Sequence, residues 1–355
     1  MPTTDVTIDE LAVKELADAQ IAELHRLACA ERFEAQPEDP LTPIELFTAS
    51  LRNIPDFADI WAWLARDADG VPRGIGQAVV ARTGDNEHIA EASVFVEAPF
   101  REKGIGRTLL ERVVDRCERE GRRLLVSGSS ERVPAGGAFA ERIGASVALR
   151  ETVNRLDLAT VDRDLVDRWA AEGPNRAPGY SLRWVDGEVS DADLPDVLAA
   201  WDIMNTAPRE DLDMEDQHVT PEIFRAQEKA RIARGGEYRL LLAHHDESGA
   251  VAGFTDVKWN PAMPDTIHQG GTAVHPDHRG HALGKWLKAA MLQRILDEGS
   301  PAKDIRTGNA NSNDAMLGIN RELGFRPYIA HVAWQVEVET VKQYLAAPAA
   351  TSEQP

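Results

Sequence analysis

One strand-to-helix turn occurs twice in this chain, 178 positions apart (279 − 101 = 178), and that repeat restricts the fold more than any other feature. The first copy reads Val96-Glu97-Ala98-Pro99-Phe100-Arg101-Glu102-Lys103-Gly104-Ile105-Gly106-Arg107. The second reads Val274-His275-Pro276-Asp277-His278-Arg279-Gly280-His281-Ala282-Leu283-Gly284-Lys285. The Val, the Arg, the last Gly and the base after it coincide, and the Pro is one place out of step. Each copy sits between an apolar, strand-like run and an amphipathic helix. A duplicated turn on a duplicated frame predicts two related domains.

The turn has a chemistry. A helix N-terminus offers unpaired N–H groups and partial positive charge. Small residues before it let the backbone close around a phosphate. Arg101, Lys103 and Arg107 in one copy, and Arg279, His281, Lys285 and Lys288 in the other, add charge in a chain whose net charge is −20. Neither copy is a nucleotide P-loop or the dinucleotide Gly-x-Gly-x-x-Gly. A single copy could be a turn that binds nothing; two on matching frames favour an anionic cofactor.

The bulk of the sequence narrows the setting. Its 355 residues suit two domains. No apolar run reaches the length of a membrane span, and the first residues lack the basic and apolar regions of a signal peptide. The two cysteines, Cys29 and Cys117, make no disulfide framework or metal cluster, and Cys117 reads as a small core residue. A cytoplasmic protein is expected. The acidic balance argues against nucleic acid and anionic membranes as partners. It suits a cationic amine, and equally a plain need for solubility.

Periodicity predicts a helix over residues 9–34, a second over 43–53, two strands around Asp69-Gly70, and a strand from His88 to Val96. A helix from Arg107 to Glu118, a strand at 123–126, a helix at 135–145 and a returning strand at 146–158 follow. Residues 159–180 read as a connector punctuated by Gly173-Pro174. The second half repeats the order, with an acidic loop (Asp211, Asp213, Glu215, Asp216) between two helices. The expectation is an α/β fold of mixed sheets. Its parts are an N-terminal domain (1–158), a connector (159–180), a C-terminal domain (181–345) and a disordered tail (346–355).

These residues resemble the GNAT acetyltransferase superfamily, whose pyrophosphate loop has the form Arg/Gln-x-x-Gly-x-Gly/Ala after the fourth strand. Later helices ending in FAERIGA (139–145) and INRELGF (319–325) extend the resemblance at nearly equal spacing from the Arg, so it covers most of the chain as two tandem GNAT folds. It implies acetyl-CoA as cofactor. Backbone N–H groups of Arg101, Glu102, Lys103, Gly104, Ile105, Gly106 and Arg107, and of Arg279, Gly280, His281, Ala282, Leu283, Gly284 and Lys285, would surround the pyrophosphate. Val94, Phe95 and Val96, and Thr272, Ala273 and Val274, would pair with the pantetheine arm. Asn313 would contact CoA. Ala282 replaces the first motif Gly, which matters if that position needs positive φ.

The same resemblance locates chemistry. A Tyr four residues before the late Gly often serves as general acid; Ala140 and Asn320 stand there instead. A base or relay often lies nine or eleven residues before the motif Arg. Those positions are Gly270 and His268 in one half, Ala92 and Ala90 in the other, with Glu91 expected on the opposite face from the two alanines. His268 is the candidate base, or a hydrogen-bonded structural His. Turnover is therefore expected in the C-terminal half, on a small-molecule amine. Rivals are an N-terminal active site or a non-catalytic acyl-CoA sensor.

Overall fold

The structure, a computed structural model, describes residues 6–348. The first half builds β1 (Thr7–Leu11), α1 (Asp18–Ala35), α2 (Ile44–Arg52), β2 (Ala58–Arg66), β3 (Pro72–Ala81), β4 (Ile89–Val96), α3 (Ile105–Arg119), β5 (Leu124–Ser130), α4 (Pro134–Arg142) and β6 (Ser146–Asp157). After α5 (Arg163–Arg176) the order recurs as β7 (Tyr180–Asp186), α6 (Leu194–Ile203), α7 (Pro221–Ala233), β8 (Glu237–His245), β9 (Val251–Trp259), β10 (Thr266–Val274), α8 (Leu283–Asp297), β11 (Asp304–Ala310), α9 (Asp314–Glu322) and β12 (Arg326–Glu337). Helix α10 (Val338–Ala346) closes the described chain. Of the tail expected from 346 on, Ala346 is the last helical residue and 349–355 lie outside the described residues. No helix among the described residues is long and apolar enough to cross a membrane.

Two compact units emerge, and they do not follow the sequence halves. One contains the residues up to Leu149, Asp211–Met214 and those from His331 on; the other contains Arg150–Glu210 and Glu215–Ala330. The first unit orders its strands β1-β2-β3-β4-β5 and finishes with β12, which pairs antiparallel with β5 from His331↔Ser130 to Glu337↔Leu124. The second orders β7-β8-β9-β10-β11 and finishes with β6, antiparallel to β11 from Asp304↔Asp157 to Ala310↔Glu151. Each sheet thus borrows its last strand from the other half of the sequence. The division differs from the expected boundaries at 158 and 181 for this reason: sequence order cannot tell which of two similar sheets a terminal strand will join.

Three further elements depart from expectation. Residues 7–11 form an edge strand paired with β2 from Thr7↔Arg66 to Leu11↔Ala62, where a helix starting at residue 9 was expected. Ladder pairing overrides local spacing there. Strand β7, its counterpart in the second unit, begins at the end of the expected connector. That connector is no linker: α5 runs through Pro174, and its Val166 is buried in the second unit's core with Trp169 packed beside it.

Within each unit the sheet is sandwiched. Along β4, Ala90, Ala92, Val94 and Val96 pack toward α3, while Phe95 packs with Ile75 toward α1 and α2. Along β9, Val257 packs toward α8 and Phe254 toward α6 and α7. This alternation fixes which side chains can meet a ligand on each face.

The borrowed strand gives a test. A chain ending after Leu158 lacks β12, leaving β5 with an unpaired edge and removing Trp334 and Val336 from the first unit. It should show no cooperative thermal transition by circular dichroism, and a sharp melt would contradict the strand exchange.

Candidate functional site

The two turns fold alike. In each, the motif Arg reaches back to the strand it follows: Arg101 Nε donates to Val96 O at 2.8 Å and Arg279 Nε to Val274 O at 3.1 Å. The rest of the Arg101 guanidinium holds the Glu34 carboxylate at 2.7 and 2.5 Å, and Arg279 Nη2 donates to Thr206 Oγ1 at 3.0 Å. The motif Arg therefore braces the loop. Each turn also needs two left-handed residues, Glu102 (φ 62°) with Gly104 (φ 88°), and Gly280 (φ 88°) with Ala282 (φ 57°). Glycine sits at the second of these positions in one loop and at the first in the other. The non-glycine residue in each costs about 1–2 kcal/mol. The condition set on Ala282 is thus met in the unfavourable sense: its position does need positive φ.

Helices α3 and α8 start directly from these turns without a side-chain cap. The N–H groups of Ile105, Gly106 and Arg107, and of Leu283, Gly284 and Lys285, are the leading donors. The surrounding bases are mostly engaged. Lys103 Nζ donates to Pro99 O, Arg107 to Leu345 O and Ala347 O, and Lys285 to the Glu322 carboxylate at 2.7 Å. His281 lies against Tyr180, ring centroids 5.3 Å apart. Lys288 is buried in the core of the second unit. The cationic cluster expected from the sequence does not form; the backbone offers the anion site.

Beyond each turn the sheet opens. The parallel pairing of β4 with β5 runs only from Ile89↔Leu124 to Glu91↔Val126, and that of β10 with β11 only from Thr266↔Asp304 to His268↔Arg306. The edges of Val94–Val96 and Thr272–Val274 then face a widening gap. In the first unit this gap is a cleft of about 90 Å³, lined by Val94, Ser127, Phe139, Ala140 and Trp334 among others. In the second unit the inner end is almost filled by side chains, leaving a void of about 10 Å³ lined by Gln269, Lys288, Leu323 and Phe325 among others. Asn320 is 1% exposed; its Nδ2 donates to Asn309 Oδ1 at 2.8 Å and its own Oδ1 has no partner. Asn313 caps α9 by accepting the Met316 N–H.

The second unit adds a feature the first lacks. Strand β10 bulges between Gln269 and Thr272, so Gly270 and Gly271 stand opposite the single residue Asp256. Any Cβ on Gly270 would lie 2.5 Å from the Asp256 carboxylate, which explains the glycine. Asp256 is 4% exposed, with Lys258 Nζ 3.8 Å away. Burial pushes its carboxyl above the usual carboxylate range, partly offset by Lys258 and the Gly271 N–H. Lys258 Nζ lies 5.7 Å from the Trp201 ring centroid and 5.8 Å from that of Tyr238. In the first unit the β3–β4 ladder runs unbroken, and Gln77 faces Ser93 there.

The bulge also changes a correspondence. Counting back from the motif Arg matches His268 to Ala90, but the extra residue shifts the phase by one. The parallel ladders pair His268 with Arg306 and Glu91 with Val126 as the third pair of each, so His268 and Glu91 are equivalent. Ala90 and Ala92 face the α3 core. His268 is exposed and lies directly across from Lys258, on the same face as Asp256. The structure thus gathers His268, Asp256 and Lys258 with Trp201 and Tyr238. Sequence analysis does not single out Asp256, although a carboxylate inside the apolar run AVAGFTDVKW was a usable signal.

The acidic loop is not gathered there. Asp213 pairs with Arg123 at 2.8 Å, which holds its carboxyl below the usual range, and Asp216 pairs with Arg209. Residues 211–214 clip onto the first unit through Ala148 and Gln335. Trp286 is core. Burial pushes the Cys117 thiol up to about 12, as fits a packed side chain.

A model described as the Acetyltransferase (GNAT) family matches residues 21–144 and 199–325. The chain is similar to a tandem GNAT protein from the clavulanic acid biosynthesis pathway, solved without AcCoA. That match has 26% identity and TM-score 0.75, covering 94% of this chain and 99% of that one. It also resembles in fold a GCN5-related N-acetyltransferase from Sphaerobacter thermophilus (14% identity, TM-score 0.66, 94% and 96% covered). A putative acetyltransferase from Pyrococcus horikoshii is a third such match (14%, TM-score 0.55, 94% and 89%).

Lys288 supplies a test of the site's electrostatics. Burial lowers its ammonium from 10.5 to about 7, and Nζ has no partner. A depressed lysine penalises the fold fully below the lower value, and the penalty fades as pH rises to the unfolded value. Lys288→Leu should therefore raise the unfolding free energy near pH 6–7, by at most about 5 kcal/mol at ~1.4 kcal/mol per unit. The gain should shrink toward pH 10 in denaturant titrations; a pH-independent gain would contradict a buried, unpaired amine.

Proposed function

The chain belongs to the GNAT acetyltransferase family, and from that membership we propose an acetyl-CoA-dependent N-acetyltransferase acting on a small cationic amine in the cytoplasm, with turnover in the second unit. The observation that carries the choice of unit is Asp256, a buried carboxylate set against a Gly-Gly bulge at the mouth of the strand gap. The first unit has Gln77 there.

Three features of the second unit fit an acyl-CoA. The uncapped start of α8 suits a pyrophosphate. The open edge of Thr272–Val274 suits the amides of a pantetheine arm. The orphaned Asn320 Oδ1 offers a buried acceptor. When bound, the thioester supplies the activated acyl group. The chain's own residues do the rest. Asp256 attracts the acceptor's ammonium and takes a proton from it, aided by the Trp201 and Tyr238 rings. His268 on the same face relays that proton to solvent. Backbone N–H groups at the bulge and along 272–274 stabilise negative charge on the reacting carbonyl oxygen. Asn320 can donate a hydrogen bond to a leaving sulfur but holds no transferable proton.

A second reading, turnover in the first unit, is favoured by its roomier cleft and by Glu91 at the position equivalent to His268. Gly106→Glu and Gly284→Glu, each placing a carboxylate in one anion site, separate the two. Under the proposal only Gly284→Glu stops thiol release from acetyl-CoA in an amine screen. Loss with Gly106→Glu alone selects the second reading, and calorimetric binding without thiol release from any amine selects a sensor.

Asp256 gives an independent check. Its raised folded-state pKa means its stabilising contribution is present below the ordinary carboxylate range and is lost as pH rises through the raised value. Asp256→Asn should therefore melt higher than the wild type at pH 7–8, while kcat/KM falls by about 10²–10⁴. Unchanged turnover would remove Asp256 from the mechanism.

A further inference from the structure

Four adjacent strands of the second unit carry one basic residue each in a single row. His268 on β10 pairs with Lys258 on β9 and with Arg306 on β11, and Arg306 pairs in turn with Arg155 on β6. Directly paired residues share a face. Lys258, His268, Arg306 and Arg155 therefore cross the sheet on the side of Asp256, about 5 Å per step. The matching row of the first unit is Val79, Glu91, Val126 and Gln335, with one acid and no base. The second row stands in a chain whose net charge is −20.

This row opposes folding and leaves a cation over. Arg306 and Arg155 are directly opposite each other, and like charges so placed repel. Asp304 answers Arg306 at 3.0 Å and Asp256 answers Lys258 at 3.8 Å. Arg155 is exposed and makes no ion pair among the described residues. Its guanidinium lies 5.0 Å from the Tyr328 ring centroid, and that of Arg306 lies 4.4 Å from the same ring. Asp157, two places along the strand from Arg155, accepts the Ala159 N–H.

Nearer the gap the same face is acidic. Asp256 lies against Gly270, and Glu151 reaches over Gly308, its Oε1 2.6 Å from where a Cβ would stand. Gly128, the counterpart of Gly308 in the first unit, has nothing within 4 Å of that point. Carboxylates thus border the place where the thioester would lie. The bases follow one level outward, two residues or about 7 Å along each strand.

We propose that the acceptor is amphoteric: its reacting ammonium sits at Asp256, and a carboxylate at its far end is held on the row of bases by Arg155. This rests on the reading that the second unit acetylates a cationic amine, and it adds the opposite charge at that molecule's other end. A single carboxylate suits the single guanidinium left without one. The two levels are about 7 Å apart, and the diagonal to Arg155 is longer, so the two charges are separated by at least the length of an extended dipeptide. The acceptor class is a short peptide or an ω-amino acid of similar length. An α-amino acid, with both charges on one carbon, is too short.

The test uses the full chain carrying Gly106→Glu, which closes the first anion site, and follows thiol release from acetyl-CoA above the acceptor-free rate. Diglycine, triglycine and 5-aminopentanoate are each compared with their own terminal carboxamide, and putrescine supplies an amine with no carboxylate. For at least one pair kcat/KM should be about tenfold higher for the acid. Both members of a pair present the same amine, so their ratio reports recognition of the far end. Arg155→Gln should bring that ratio near one and Arg155→Glu below one, while Arg155→Lys retains most of it. Arg155 is exposed, and an unchanged thermal melt confirms the fold of each variant. Acids and amides turning over alike, putrescine turning over best, or a preference that survives Arg155→Glu overturns the proposal and leaves the acetyltransferase standing. Thiol release from none of these acceptors overturns amine turnover in the second unit, a distinct result.

Discussion

Parallel pairing that stops after three residue pairs is what the rest of each unit depends on. In a regular sheet β4 and β5, or β10 and β11, would stay hydrogen-bonded to their ends, and no ligand could enter between them. Here the strands part just before the uncapped helix. Backbone donors and acceptors along one strand edge and across one helix end face the same gap. Those groups must find partners. A ligand with an anionic head and an amide-bearing arm satisfies both sets at once, which is why fold and cofactor class are tied together in this architecture.

What was legible in the sequence was local. The two turns could be read because all their determinants lie within twelve residues: a strand end, a brace from the Arg, two left-handed positions and a helix start. Most strands and helices could be read from periodicity for the same reason. The strand exchange could not, because β12 and β5 are about 200 residues apart in sequence, and either sheet could have accepted either terminal strand. The edge strands β1 and β7 were missed because pairing with one neighbour, and not their own pattern, makes them strands. The site suffered from a single inserted residue. A bulge on β10 moves every side chain upstream to the opposite face relative to a count from the Arg. Counting therefore matched His268 to a core alanine, when its true counterpart is Glu91.

Duplication makes each unit a control for the other. The brace, the left-handed pair and the open strands are retained in both, so they report what the shared fold requires. Differences report what each unit has come to do. Asp256 stands where the first unit has Gln77, a Gly-Gly bulge where it has an unbroken ladder, Asn320 where it has Ala140, and Lys288 where it has Leu110. Three of these differences place polar or ionisable side chains at the strand gap or on the face beside it, all in the same unit, and the fourth makes room for one of them, Asp256.

That concentration is hard to explain by stability. A buried carboxylate raised in pKa and a buried ammonium lowered to about 7 both weaken the fold near neutral pH. The two groups belong to opposite faces of the sheet, Asp256 with Lys258 and Lys288 with Phe325, so neither neutralises the other. Lys288 falls on the apolar stripe of α8, four residues after Gly284 and three before Met291, where an aliphatic side chain would pack without penalty. The first unit's Leu110 is that solution.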